Sequence, residues 1–430
     1  MPNPSDIIDS YGYTKIMYMA ENQYAYLVDN TLLGKGFVEV IKGLLLDDIL
    51  EEIVYNGPNT PIRVYHKKYG FCQTNVRIEE ATARQYIDLV AKQNTKTINE
   101  MNPMLDATLE DGSRFNATIP PASPNNSTFT IRKFKRNVIT VVDLVKNGTL
   151  TADAAAFLWL AIEGLGVRPA NALIVGGTGS GKTTALNALA MYIPAASRII
   201  TIEDTAELVV LHANKVAMVS KKEANVTMDM LLRNALRMRP DRIIVGEVRG
   251  PEAGTLFEAM NTGHAGSLGT LHAESARETI NRITNPPMSV PKSMLGPLDL
   301  IIVFKRLMTS TGNKRIIQEI SEVNASGGME PRFNTLYEYD PKKNKLVNTG
   351  IPSRLRSDIA TANGMTPKQF DHIHKDRMEI ITQLCVSPTI SAEYLFGKLD
   401  QLRFHWKEER KSGGHIDAVK SILSKMIGKG

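Results

Sequence analysis

Gly176-Gly177-Thr178-Gly179-Ser180-Gly181-Lys182-Thr183 is a complete G-x-x-x-x-G-K-[ST] string, and its neighbours on either side decide the fold. Before it, Ala172–Val175 is a short apolar run that predicts a buried strand; after it, Thr183–Tyr192 has the texture of a helix. A glycine-rich turn between strand and helix lets the backbone wrap closely around phosphate groups, with successive N–H groups and the positive helix end facing them. Lys182 supplies a point charge for the outer phosphates, and the Thr183 hydroxyl is the expected Mg2+ ligand. Gly177, Thr178, Gly179, Ser180, Gly181, Lys182, Thr183 and Thr184 are therefore the expected nucleotide-binding residues. A turn that only capped a helix would not need the whole string in this context.

Downstream, Arg198–Ile202, Ile243–Val245 and Leu300–Phe304 read as further buried strands. Met228, Leu231, Leu232, Ala235 and Leu236 share one helical face, and Ala253, Leu256, Phe257 and Met260 mark another helix. Alternating strands and helices predict an α/β domain over residues 137–430, with a parallel sheet covered by helices on both faces. From Thr366 the texture is helical, ending in a Lys-rich tail from Glu409 to Gly430. Residues 1–136 read as a smaller α+β domain: a helix-like stretch at Leu44–Val54, a strand at Ile62–His66, a helix at Ala81–Gln93, and extended segments ending in Thr128–Lys133. Asn56-Gly57-Pro58-Asn59 and Pro120-Pro121-Ala122-Ser123-Pro124 supply turn chemistry within it.

Glu203-Asp204 and Glu247 follow two of the predicted strands, at the sheet edge where open α/β proteins bind ligands. One carboxylate can hold Mg2+ through water and another can orient an attacking water. Glu203 is the expected water-positioning residue and Glu247 the residue beside the metal. Either alone would read as a solvated loop charge; their shared placement behind a phosphate loop reverses that. Thr262-Gly263-His264 and Thr270-Leu271-His272 bracket a short extended segment. Two imidazoles without a nearby cysteine fall short of a zinc site, so they read as hydrogen-bonding groups near the terminal phosphate or an interface. Arg237, Arg239 and Arg249 flank the Glu247 strand, where arginine suits phosphate or carboxylate forks and equally a structural ion pair.

The 430 residues are enough for two to three domains. Only two cysteines, Cys72 and Cys385, are present, which argues against a disulfide scaffold and fits a reducing compartment. The first residues have no basic and apolar leader pattern, and the longest apolar runs fall far short of a membrane span. A soluble, cytoplasmic chain is expected. A net charge of +6 suits an acidic membrane surface or plain solubility.

With these motifs in order, the chain resembles the secretion ATPase superfamily, the hexameric motors of type II and type IV secretion, type IV pili and archaella. The phosphate loop, Thr201-Ile202-Glu203-Asp204, Met238 through Arg249, and Thr262 through His272 resemble that family's Walker A, aspartate box, atypical Walker B and histidine box. Asn56-Gly57-Pro58-Asn59 and Val64 through Gly70 resemble the amino-terminal domain of the archaeal archaellum and pilus branch. The resemblance implies a RecA-like P-loop ATPase domain after the smaller α+β domain, with ATP and Mg2+ as ligands. It implies a homo-hexamer at the inner face of the cell membrane, working through a polytopic membrane platform protein. Catalytic roles are implied for Lys182, Glu203, Glu247, Arg249, His264 and His272, and for Arg114 and Arg132 on extended segments of the first domain. About two dozen residues precede the first family-like strand, so a longer amino-terminal helical region of some relatives is not expected.

Two other classes compete. A RecA-like ring could translocate nucleic acid, but the sequence has no basic stripe interleaved with aromatics, and aromatics are 6% of residues. Nucleic acid is therefore not an expected partner. A P-loop kinase would need a small acceptor, and phosphate release without one separates the two.

Overall fold

The computed structural model describes residues 7–412 apart from 13, 21–22, 59, 135–137, 222–223, 310–311, 326–329 and 387–389. Asn59 of the first turn and most of the Lys-rich tail lie outside the described residues. Contacts divide the chain into two compact units, Met1–Asn137 and Val138–Gly430.

The first unit contains β1 (Ile7–Tyr11), β2 (Thr14–Ala20), β3 (Gln23–Val28), β4 (Leu50–Tyr55), β5 (Arg63–His66), β6 (Gly70–Thr74), β7 (Met104–Thr108), β8 (Arg114–Thr118) and β9 (Thr128–Arg132). Its helices are α1 (Asn30–Leu33), α2 (Phe37–Leu46) and α3 (Glu80–Gln93). The strands form one sheet in the order β1-β2-β3-β6-β5-β4-β9-β8-β7, parallel only between β3 and β6. Alternation sorts its two faces. Cys72, Val64, Ile53, Ile131 and Phe115 are register partners across five strands and are buried with Val40, Ile41 and Leu44 of α2 and Ile87 and Val90 of α3.

Two expectations are corrected here. The helix-like stretch Leu44–Val54 divides: α2 stops at Leu46, and Leu50–Tyr55 is a strand. Asp47 makes the break, because its carboxylate accepts from the Ile49 N–H at 2.9 Å and from the Tyr26 hydroxyl at 2.6 Å, and Ile53 and Tyr55 then alternate inward. The residues before Tyr24 are also part of the sheet, as β1 and β2.

The second unit is a mixed α/β unit. Its strands are β10 (Asn171–Gly176), β11 (Ile199–Glu203), β12 (Lys215–Val219), β13 (Arg242–Val245), β14 (Leu268–Leu271), β15 (Leu298–Thr309), β16 (Gly312–Asn324), β17 (Arg332–Asp340) and β18 (Lys345–Asn348). They lie in the order β12-β11-β13-β14-β10-β15-β16-β17-β18. The six strands from β12 to β15 are parallel, and β15 to β18 form an antiparallel meander. β10, β11 and β14 are buried at every position, as expected of strands covered on both faces.

The helices are α4 (Val141–Lys146), α5 (Ala152–Glu163), α6 (Lys182–Ala190), α7 (Met228–Ala235), α8 (Glu252–Asn261), α9 (Ala276–Thr284), α10 (Arg354–Ala362), α11 (Pro367–Val386) and α12 (Ala392–Ser412). Ile174 of β10 packs in one core with α5 and α6; Leu173 and Val175 pack on the other face with α7 and α8. Every residue of α5 from Ala154 to Glu163 is buried, so its polar end needs internal partners. The Arg377 guanidinium of α11 lies 4.5 Å from the Trp159 ring and 2.9 Å from Glu163, and Arg403 of α12 lies 3.5 Å from Glu163.

Removing one member of a buried ion cluster leaves the others desolvated and uncompensated, at a cost of about 3–5 kcal/mol. Glu163→Ala is therefore expected to lower the urea midpoint by a corresponding amount. Urea titration followed by far-ultraviolet dichroism checks this, and an unchanged midpoint would show that the carboxylate does not hold Arg377.

Candidate active site

β10 brings Gly176 to the carboxyl edge of the parallel strands, and α6 departs at Lys182. The loop closes against β15: a Cβ at Gly176 would lie 2.3 Å from the Phe304 carbonyl oxygen. Gly179 (φ +70) and Gly181 (φ +100) take left-handed conformations in which glycine alone is free of strain. The Ser180 hydroxyl donates to the Gly177 carbonyl at 2.8 Å. Lys182 is buried, and its Nζ donates to the carbonyls of Gly176 (2.8 Å) and Gly177 (3.0 Å). Burial lowers its pKa, with Glu247 opposing and Arg249 adding to the shift. Thr183 and Thr184 occupy the first turn of α6, half-buried, in a turn without an acidic residue. A glycine cradle, a helix start and one buried ammonium fit a phosphate group.

Glu247 follows β13 and lies beside the loop. Its Oε2 accepts from Arg249 Nη2 at 2.6 Å, and its Oε1 lies 3.0 Å from His272 Nε2. Arg249 also reaches Asp204 at 3.2 Å through Nη1. Burial alone would raise the Glu247 pKa, but Arg249, His272 and Lys182 together lower it, so Glu247 is ionised near neutral pH. His272 is shifted down by burial and by Lys182 against the pull of Glu247, and is neutral there.

Glu203 ends β11 in a different environment. It is buried, and its Oε1 accepts from the N–H groups of Glu207 (2.8 Å) and Leu208 (2.9 Å). Burial raises its pKa to about 7 against those two bonds. A Cβ on Gly246 would lie 2.8 Å from Glu203 Cγ. Glycine before Glu247 thus makes room for Glu203, a physical reason for Gly-Glu at this strand end. Among the described residues no group of three His, Cys, Asp or Glu could hold a metal by itself. Thr183 and Glu247 suit a Mg2+ that keeps several waters and takes its other ligands from phosphate oxygens.

Lys182, Glu203, Glu247, Arg249 and His272 therefore come together at one edge of one sheet. His264 does not join them within this chain. It precedes β14, near Gly266, whose Cβ position lies 2.8 Å from Pro169 and 2.6 Å from Arg242 Nε, where β10 and β13 begin. Parallel strands carry that end to the edge opposite the loop. Arg237 and Arg239 likewise precede β13. Arg114 and Arg132 belong to the first unit, where they are register partners on β8 and β9.

Two neighbours of the loop went unanticipated. Arg306 of β15 and Arg315 of β16 abut Gly179 and Gly181. The signal was present in the Lys-Arg pairs at 305–306 and 314–315, which flank a Thr-Ser-Thr-Gly segment at 309–312. The Thr270 hydroxyl donates to the Gly246 carbonyl at 2.6 Å, a bond that motif spacing does not reveal.

A parallel sheet with a glycine loop and two carboxylates at its carboxyl edge defines an α/β protein equipped for a phosphorylated ligand. The chain belongs to the type II/IV secretion system protein family, whose model matches residues 39–336. It is 50% identical over 253 residues to an uncharacterised protein of Methanocaldococcus jannaschii, covering 57% of this chain and 34% of that one. The chain thus spans about a third of that relative's length. It is 32% identical over 299 residues to the type IV secretion system protein VirB11 of Bartonella henselae, covering 57% of this chain and 79% of VirB11. Among solved structures it is similar in fold to the Yersinia pseudotuberculosis ATPase DotB, with a TM-score of 0.50, 15% identity, and 90% and 94% of the two chains covered.

The Glu203 environment makes stability pH-dependent. Its folded pKa of about 7 lies above the ordinary 4.5, so the folded state holds the proton more tightly. Its contribution is complete below pH 4.5 and is lost as pH rises through about 7. Glu203→Gln stays neutral and keeps an acceptor for Glu207 and Leu208. Wild type should therefore lose up to about 3 kcal/mol relative to Glu203→Gln between about pH 5 and pH 8. Urea titrations of both proteins across that range test this; parallel stability curves would rule out the raised pKa.

Proposed function

We propose that this chain is a Mg2+-dependent, ATP-hydrolysing motor of the secretion ATPase kind, acting as a homo-hexamer. It powers assembly or rotation of an archaellum- or pilus-like filament, or protein secretion, through a polytopic membrane platform protein. The observation that carries the reading is the convergence of Lys182, ionised Glu247 and buried Glu203 on one loop at the edge of one parallel sheet. Family membership and the similarity to VirB11 support it. The residues from Val138 onward are the RecA-like domain in this reading, and the first unit is its α+β amino-terminal partner. No described helix is long and apolar enough to cross a membrane; the protein works in the cytoplasm, peripheral to the inner face of the membrane.

The roles follow from the environments. Lys182 leaves the loop carbonyls to neutralise the outer phosphates, and Thr183 with water-linked Glu247 holds the ATP-bound Mg2+. The Arg249 hydrogen bond fixes the direction of the Glu247 carboxylate, with neutral His272 beside its other oxygen. Glu203, with a pKa close to the working pH, orients the attacking water and takes its proton. Arg114 and Arg132 complete the site of a neighbouring subunit by neutralising charge that develops on the transferred phosphoryl group.

Lys182→Ala is expected to abolish phosphate release while leaving the melting temperature in place, since it removes the cation inside the loop. Glu203→Gln is expected to bind ATP normally and hydrolyse it at least about 100-fold more slowly, because it loses the base and keeps the fold. Steady-state phosphate release beside equilibrium nucleotide binding reads both effects. Rapid turnover by a folded Lys182→Ala protein would sink the assignment of the site.

A shared site makes a separate prediction. Arg114→Ala or Arg132→Ala should be inactive alone, and mixing either with Lys182→Ala should restore part of the activity, since some interfaces then pair an intact loop with intact arginines. Exposed ion pairs worth about 0–1 kcal/mol would give no such pattern. Absence of rescue despite demonstrated subunit exchange would overturn the shared site.

A further inference from the structure

We infer that Arg306 and Arg315, on the β15–β16 hairpin, form a second phosphate-binding wall supplied by the same chain as the glycine loop, contacting the phosphates of the bound nucleotide. This rests on the ATP-site reading above and adds residues to it that none of its motifs contains.

Arg306 and Arg315 are direct register partners on adjacent antiparallel strands. Both side chains lie against the loop. A Cβ at Gly179 would be 3.6 Å from Arg306 Nη1, and one at Gly181 would be 3.3 Å from Arg315 Cδ. Arg315 Nε donates to the Gly179 carbonyl at 3.2 Å. Both arginines are exposed at the site. In the sheet order, β15 and β16 lie on one side of β10, and the strands that carry Glu247 and His272 lie on the other. The mouth of the loop is thus flanked by a carboxylate–imidazole wall on one side and a guanidinium pair on the other.

Charge and geometry point to phosphate as the ligand of that pair. Like charges directly opposed across two strands destabilise the pair, and an anion beside them offsets this cost. A guanidinium presents a planar fork that matches phosphate oxygens, with bonds about twice as strong as neutral ones. The backbone the pair touches, Gly179 to Gly181, is the segment whose N–H groups face phosphate in a loop of this kind. The rival account is that Arg315 only ties the hairpin to Gly179. A single neutral donor could do that, and the tie gives no reason for a second arginine at the opposed position.

The experiment measures binding of ADP, inorganic pyrophosphate and adenosine to the full-length chain by calorimetry, with melting temperatures recorded in parallel. Arg306→Ala and Arg315→Ala are each expected to weaken both ADP and pyrophosphate about tenfold at an unchanged melting temperature, and to leave adenosine unaffected. Arg315→Gln keeps a donor for Gly179 and loses the charge, so it too should weaken pyrophosphate about tenfold. Wild-type pyrophosphate affinity in Arg315→Gln would make the contact a structural tie and overturn the inference. So would losses confined to adenosine and ADP, which would place the arginines on the base. Lys182→Ala separates the two levels. If it loses pyrophosphate while the arginine variants keep it, the hairpin inference alone fails. If it binds pyrophosphate as wild type does, the phosphate-site reading itself fails.

Discussion

The close approach of the Gly176 backbone to the Phe304 carbonyl is the constraint on which the second unit is built. No side chain fits between them, so β10 and β15 pair closely where the loop begins. The loop leaves β10 and enters α6, whose Ala185, Leu186, Ala188 and Leu189 are buried in the same core as α5. Exposed residues Thr178 and Gly179 are thus hung between two elements that are buried in the core. A site built on rigid elements holds its geometry before a ligand arrives, and less entropy is lost on binding. The price of that rigidity is the buried α5, whose terminal Glu163 needs arginines from two later helices.

The two carboxylates at neighbouring strand ends illustrate how environment divides labour. Glu247 has an arginine and an imidazole against its oxygens and a lysine nearby, so its charge is stabilised despite burial. Glu203 receives two backbone N–H groups and sits deeper, so desolvation prevails and its pKa climbs to about 7. One residue is therefore a fixed anion and the other a group poised to exchange a proton. Gly246 couples them sterically, because the space a side chain would take there is filled by Glu203.

Most of the site was legible because its residues lie next to strand ends that short apolar runs mark in the sequence. The expected strands Arg198–Ile202 and Ile243–Val245 located Glu203 and Glu247 without knowledge of strand order. His264 and His272 part company because a motif that spans a whole strand puts its two ends on opposite edges of a parallel sheet, and spacing alone does not say which end faces the ligand. The hairpin arginines were missed for a different reason. Arg306 and Arg315 meet the loop only because β10 pairs with β15, which carries the local β15–β16 hairpin to it; the Arg315–Gly179 bond joins residues 136 apart in sequence. In the first unit, Leu44–Val54 misled because an apolar run can be helix or strand, and the break at Asp47 depends on a hydroxyl from Tyr26.

Sheet register also says something about Arg114 and Arg132 that their positions in sequence do not. Phe71, Tyr65, Glu52, Arg132 and Arg114 are successive register partners across β6, β5, β4, β9 and β8. They alternate with the buried row of Cys72, Val64, Ile53, Ile131 and Phe115, so they occupy the opposite face of the sheet. Within that outer row Arg132 has a carboxylate on one side and a like charge on the other. Cross-strand repulsion of that kind costs stability in the isolated sheet and is relieved when an anion is brought against the face. The same electrostatic pattern recurs at Arg306 and Arg315 in the second unit. Each unit therefore carries a pair of arginines directly opposed on adjacent antiparallel strands.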